Sequence, residues 1–181
     1  MSGSLEVRPV TKENRAEFEA FFSSPGAPHY CWCMVWRRTS AEAKQNTPAG
    51  RKTQMLGRIG AGVPVGLLAY RDGEAVGWVS VAPRDTYRNL GGSAAEAGEK
   101  IWSIVCFYVP RKLRGEGLVR KLIAAAVAHA KENGASIVEA YPVPPEAPSY
   151  RFMGFIPVFT EAGFTDVGMA GKRRHAMRLV V

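Results

Sequence analysis

Long apolar runs are missing from this 181-residue chain. A helix that crosses a bilayer needs about 18 or more consecutive apolar residues, so the sequence predicts no membrane span. An apolar leader core is also missing from residues 1–10. That argues against a secretory signal and for a cytoplasmic location. Cysteine is scarce, with only Cys31, Cys33 and Cys106. An odd, low count suits a reducing compartment better than a disulfide framework. One residue separates Cys31 from Cys33 and no second cysteine pair follows. With His29 they make a poor zinc set, because structural sites take four ligands and pair their cysteines at wider spacing. No metal is expected, and the two thiols read as small apolar side chains beside Trp32 and Met34. Acidic residues are outnumbered, 16 against 24 basic, for a net charge of +8. The basic residues are scattered through the chain without a basic helix or basic–aromatic repeat. This disfavours nucleic acid as a partner and leaves a phosphate-bearing ligand as an equally good cause of the excess.

What is present reads as one domain, 1–181, with hydrophobic residues at 46%, ordinary for a globular protein. Alternation predicts a strand over about 4–10. A helix over 12–23 follows, capped by Thr11, with Phe18, Phe21 and Phe22 buried. Ser40–Arg58 reads as helical with an interruption near Pro48. Arg71-Asp72-Gly73-Glu74 carries the Asp-Gly hairpin signal between apolar runs at 65–70 and 75–82. Residues 83–98 read as a loop. Lys100–Val109 is apolar on both faces, the mark of a central strand. Ile101, Val105, Phe107 and Val109 are expected on one side, with Trp102, Ile104, Cys106 and Tyr108 on the other. Leu118, Val119, Leu122, Ile123, Ala126, Val127 and Ala130 form one amphipathic stripe, and Asn133-Gly134 stops the helix. A strand over 136–143 then makes a strand–helix–strand unit, hence a parallel pair. A short helix at 157–162 and strands at 164–167 and 175–180 close the chain.

The turn between that central strand and that helix runs Arg111-Lys112-Leu113-Arg114-Gly115-Glu116-Gly117-Leu118-Val119. Glycines there let backbone N–H groups approach a ligand. The first N–H groups of a helix lack internal partners, and its dipole is positive at that end. Such a turn is a candidate phosphate site, to which Arg114 can add a charge-assisted contact. Neither a Rossmann fingerprint nor a P-loop fits, since position 120 is Arg120 and no Gly-Lys-Ser/Thr follows.

The Arg-x-x-Gly-x-Val run Arg114–Val119, preceded by Phe107-Tyr108-Val109-Pro110 and followed by Phe159-Thr160-Glu161-Ala162-Gly163-Phe164, resembles the GNAT superfamily of N-acetyltransferases. Val119 departs from the small residue usual at its position. The resemblance is best from about 64 to 181. It implies an α/β (α+β) fold: a mixed, mostly antiparallel sheet around a parallel strand–helix–strand core, with helices on both faces. It also implies acetyl-CoA as cofactor. Phe107, Tyr108 and Val109 would hold its pantetheine arm, and Arg114, Gly115, Glu116, Gly117, Leu118 and Val119 its pyrophosphate. The acetyl group would pass directly to an amine of a small molecule or protein. Residues 1–63, notably Trp32, Trp36 and Arg37, would form the acceptor side; core packing is the competing reading of the tryptophans. Glu139 is a candidate base, against a solvent-facing strand residue. Tyr150, four residues before Gly154-Phe155, is a candidate acid, because Phe159 stands at the other place with that spacing. A homodimer is left open, as are a non-catalytic CoA-binding domain and, behind it, a basic nucleic-acid binder.

Overall fold

A computed structural model describes residues 3–181. Seven strands form one sheet: β1 (Leu5–Pro9), β2 (Leu67–Arg71), β3 (Glu74–Pro83), β4 (Ile101–Tyr108), β5 (Ile137–Ala140), β6 (Thr165–Ala170) and β7 (Arg174–Val180). Their spatial order is β1-β2-β3-β4-β5-β7-β6. Every pairing is antiparallel except β4 with β5. The helices are α1 (Arg15–Ser23), α2 (Pro48–Gly60), α3 (Leu118–Glu132) and α4 (Ile156–Glu161). None of these helices is long and apolar enough to cross a membrane.

Local chemistry explains where the boundaries fall. Helix α1 begins later than the Thr11 cap suggests. Asn14 accepts the Thr11 N–H at 2.8 Å and donates to the Pro9 carbonyl at 3.0 Å, which holds 11–14 as a turn. Pro48 starts α2 rather than interrupting it: Thr47 caps the helix by accepting the Gly50 N–H at 3.0 Å, and proline occupies its first turn, where its missing N–H is not needed. The expected helical segment before it is reduced to a 3-10 turn at Glu42–Lys44. The β2–β3 hairpin turns through Asp72 and Gly73, both at positive φ, as a two-residue hairpin requires. Strand β5 stops short of 143, because Pro142 offers no N–H and Val143 bridges Phe155 instead.

Two apolar layers sandwich the sheet. On one face α3 packs through Leu122, Ile123 and Ala126 against β3 and β4, with Phe159 of α4 in the same cluster. On the other, Phe18, Phe21 and Phe22 of α1 and Met55 and Ile59 of α2 meet Trp78 and Tyr108. A β-bulge in β4 reassigns its faces. Ser80 pairs with Cys106 and Val81 with Ile104, so Val105 has no counterpart on β3. One extra residue exchanges the two faces beyond it. Trp102 and Ile104 before the bulge therefore share the α3 side with Phe107 and Val109 after it. Cys106 and Tyr108 turn to the α1–α2 side. Strict alternation along 101–109 had placed Trp102 and Ile104 with Cys106 and Tyr108; the bulge corrects that.

Candidate active site

β4 and β5 are paired only from Ile101↔Ile137 to Ile104↔Ala140. β4 continues to Tyr108 while β5 ends at Ala140. The parallel pair therefore splays into a wedge whose β4 side, residues 105–108, faces no strand of β5. Such an edge can take an extended ligand as an added strand.

The wedge leads to the turn before α3. Gly115 and Gly117 both have positive φ, 86° and 76°, and Gly117 immediately precedes the helix. A Cβ at either would meet open space, so backbone conformation is what selects glycine here. No side chain caps the helix, and its first i→i−4 bond is Lys121 N–H to Gly117 O at 3.3 Å. The N–H groups of Leu118, Val119 and Arg120 thus have no such partner and lie at the positive end of the helix dipole. Arg114 is positioned by its Nε, which donates to the Val109 carbonyl at 3.1 Å. Glu116, the one acid in the turn, would repel phosphate. Its carboxylate is held 2.9 Å from Arg71 Nη1 on β2. Its part in the turn is therefore its backbone and not its side chain.

A cleft of about 630 Å³ opens along the wedge, within the range typical of small-molecule sites. Residues 105–109 of β4 and its exit, Arg114, Val119 and the 151–158 segment line one part. Cys31, Cys33, Trp36, Arg37, Ser80 and Cys106 line another. Of the acceptor-side residues expected from sequence, Trp36 and Arg37 reach this cleft and Trp32 does not. Trp32 is buried against Phe18 and Phe22, with ring centroids 6.3 and 5.6 Å apart. It fills the core, so its placement as an acceptor wall is corrected.

The two candidate proton-transfer residues stand apart from the cleft lining. Glu139 is not solvent-facing: its residue is 0% exposed. It accepts from Arg84 Nη1 at 3.1 Å, Arg178 Nε at 2.6 Å and Tyr141 Oη at 2.5 Å. Burial, then the Glu139 charge, push the Tyr141 phenol well up. Tyr141 also contacts Ser103 Oγ at 2.9 Å. Both carboxylate oxygens are thus committed to a network that ties β4 and β5 to β7 and the loop after β3. Tyr150 has φ of 60° and packs against Trp36, with the Arg174 guanidinium 5.3 Å from its ring. Phe159 is fully buried, edge-on to Phe164 at 5.1 Å.

The geometry surrounds Arg37 with partners that the sequence did not single out for the site: Cys33, Ser80 and Tyr87. Arg37 is buried: Nη1 donates to the Cys33 carbonyl at 2.8 Å and to Cys33 Sγ at 3.2 Å. Its Nη2 donates to Val65 O, Ser80 Oγ at 2.7 Å and Tyr87 Oη at 3.0 Å. Burial raises the Tyr87 phenol to about 12. The available signal was the i, i+4 spacing of Cys33 and Arg37. Cys106 reaches the same place only through the bulge.

Residues 34–155 match the acetyltransferase (GNAT) family. Among solved structures, the GNAT domain of S. lividans PAT has a TM-score of 0.62 at 23% identity, covering 99% of this chain and 92% of its own. An uncharacterized protein (bh2621) from Bacillus halodurans has a TM-score of 0.63 at 15% identity, with 97% and 83% covered. A GNAT family acetyltransferase from Brucella melitensis, solved in complex with acetyl-CoA, has a TM-score of 0.54 at 18% identity, with 98% and 88% covered. No curated protein matches the sequence. At these identities the neighbours speak for the fold; the family match spans most of the wedge, the turn before α3 and the cleft. By that match this chain belongs to the acetyltransferase (GNAT) family.

Proposed function

We propose that this protein transfers the acetyl group of acetyl-CoA to an amine of a small molecule or protein, directly and within a ternary complex. The observation that carries the reading is one continuous path: the unpaired side of β4 at 105–108, Arg114, and the uncapped start of α3. These residues fit the cofactor's chemistry. An extended amide-bearing arm suits a strand edge. A pyrophosphate suits free helix N–H groups with the competing carboxylate of Glu116 drawn off onto Arg71. When bound, acetyl-CoA supplies an activated thioester; the chain supplies position. Residues 3–181 act as one domain, with the segment before β2 forming the acceptor side through Trp36 and Arg37. Three unpaired cysteines suit a reducing compartment, and we place the protein in the cytoplasm.

Among the described residues lining the cleft there is no carboxylate and no histidine. An alkyl amine with pKa of about 10 must lose a proton before it attacks. We assign that proton to water in the cleft. Phe159, buried where the resemblance puts a phenol, favours a second reading, that of a CoA-binding module without turnover.

The test is calorimetric titration with acetyl-CoA beside an Arg114→Ala/Gly117→Asp variant, followed by an amine screen for CoA release. The wild type should bind and the variant should lose on the order of 10- to 100-fold, the worth of one charge-assisted hydrogen bond before the added carboxylate is counted. Absence of wild-type binding overturns the assignment; binding without release for any amine favours the second reading.

A further inference from the structure

All three cysteines line the acyl cleft, and Cys33 and Cys106 are buried in the same cluster at its floor. Arg37 Nη1 donates to the Cys33 sulfur at 3.2 Å, and the Cys106 S–H donates to the Phe107 carbonyl at 3.8 Å. Arg37 is 4% exposed. Among the described residues, none of the ion pairs to a carboxylate involves it. Its other acceptors are neutral: two carbonyls, Ser80 and Tyr87. A buried guanidinium without a counter-charge is costly, and the anion within reach is a Cys33 thiolate. Trp32 and Cys33 hold consecutive positive φ values of 48° and 52°, a strained conformation for non-glycine residues. The turn sends Trp32 into the core and leaves Cys33 at the cleft.

We propose that Cys33 and Cys106 form a thiol–disulfide exchange site in the floor of the cleft, whose substrate is a low-molecular-weight disulfide. In the first step the Cys33 thiolate attacks one sulfur of the disulfide RS–SR. A Cys33–S–S–R bond forms, the RS–SR bond breaks, and RS⁻ leaves. In the second, Cys106 gives up its proton to the departing thiolate or to water and attacks the Cys33 sulfur. The Cys33–Cys106 bond forms and a second RS⁻ leaves. The protein dithiol is oxidised by two electrons and the small disulfide is reduced to two thiols.

The surroundings divide the two roles. The neighbouring Cys106 thiol, then Arg37, pull Cys33 well below the usual thiol range despite burial. The Cys33 sulfur beside it, then burial, push Cys106 well up. Cys31 is raised to about 11, mainly by burial, so it stays a thiol. The groups facing Cys33 are Arg37 and Cys31 from its own segment, Cys106 from β4 and Tyr87 from the loop after β3. Exchange suits such a thiolate better than acyl capture does. A weakly basic thiolate is a good leaving group, so an acyl group would return readily to an ordinary alkyl thiol. Disulfide exchange is carried forward by the neighbouring Cys106.

The experiment treats full-length protein with oxidised glutathione, quenches it in acid with a maleimide, and reads intact mass and mapped peptides. Wild type and Cys31→Ser should lose two hydrogens and yield a Cys33–Cys106 cross-linked peptide. Cys106→Ser should retain one glutathione on Cys33. Cys33→Ser should react at least about tenfold more slowly, as expected when the thiolate is replaced by protonated thiols. Iodoacetamide should alkylate Cys33 in Cys106→Ser with an inflection more than about one unit below the ordinary thiol value of about 8.5. Thermal melts confirm that each variant is folded. A first adduct on Cys31 or Cys106, or a folded wild type that stays unmodified while urea-unfolded protein reacts, overturns the proposal. None of these readouts needs acetyl-CoA, so they stand or fall apart from the acetyltransferase reading.

Discussion

Glu139→Ala separates a structural carboxylate from a catalytic one. The side chain is wholly buried and receives hydrogen bonds from Arg84, Arg178 and Tyr141. Removing it leaves two guanidinium groups short of a counter-charge. Arg178 keeps Glu99 at 3.6 Å, and the Arg84 and Arg178 side chains retain 23% and 15% exposure, so water takes up part of the loss. Breaking a buried ion pair costs about 3–5 kcal/mol, and partial solvation places this case near the lower figure. For a chain of this size each kcal/mol moves the melting temperature by about 2–4 °C. A fall of roughly 6–12 °C is therefore expected, measured by calorimetry or circular dichroism. Glu139→Gln retains an oxygen that can accept from Tyr141 and should fall by less. Turnover at a temperature where both variants are folded should stay within about threefold of wild type, since the carboxylate lies outside the cleft lining. A melting shift under about 2 °C, or a Glu139→Gln protein of wild-type stability with turnover down more than about 100-fold, refutes the structural role and restores Glu139 as a base.

Three further outcomes follow from the same geometry. Tyr150→Phe should keep turnover within about threefold, because its hydroxyl carries no hydrogen bond among the described residues and does not line the cleft; a loss beyond about 100-fold in kcat would make it the acid. Gly66→Ala should fail to fold or lose several kcal/mol in a denaturant titration, on the order of 3–5. Its φ is 152° and a Cβ would sit 2.2 Å from the Val79 carbonyl and 2.6 Å from the Trp78 ring; near-wild-type stability would refute the β2–β3 packing. Glu42 accepts from Arg58 at 2.8 and 2.9 Å and from the Thr39 N–H at 2.7 Å. These contacts, Arg58 first, lower it from 4.5 to about 2. A carboxylate depressed on folding stabilises fully above its unfolded value and loses that contribution as pH falls through the folded one. Stability of the wild type relative to Glu42→Gln should therefore shrink between pH 4.5 and about 2; a constant difference across that window would refute the pairing.

Sequence alone determined the elements whose signal is local. The apolar stripe of α3, the two-sided apolar run of β4, the Asp72-Gly73 hairpin and the glycines before α3 each depend on near neighbours. That was enough for the parallel unit and for the turn that defines the candidate donor site. Tertiary structure decided what depends on distant partners. The bulge at Val105 exists only in the register of β4 against β3, and it moved Cys106 and Tyr108 to the other face. Trp32 and Trp36 belong to one aromatic stretch, yet one fills the core and the other reaches the cleft, because a positive-φ turn lies between them. Glu139 looked like a solvent-facing strand position until Arg84 and Arg178, 55 and 39 residues away, closed over it. Periodicity records which side of an element is apolar. It does not record register, or which cation folds back onto a buried charge, because those are set by contacts between segments far apart in the chain.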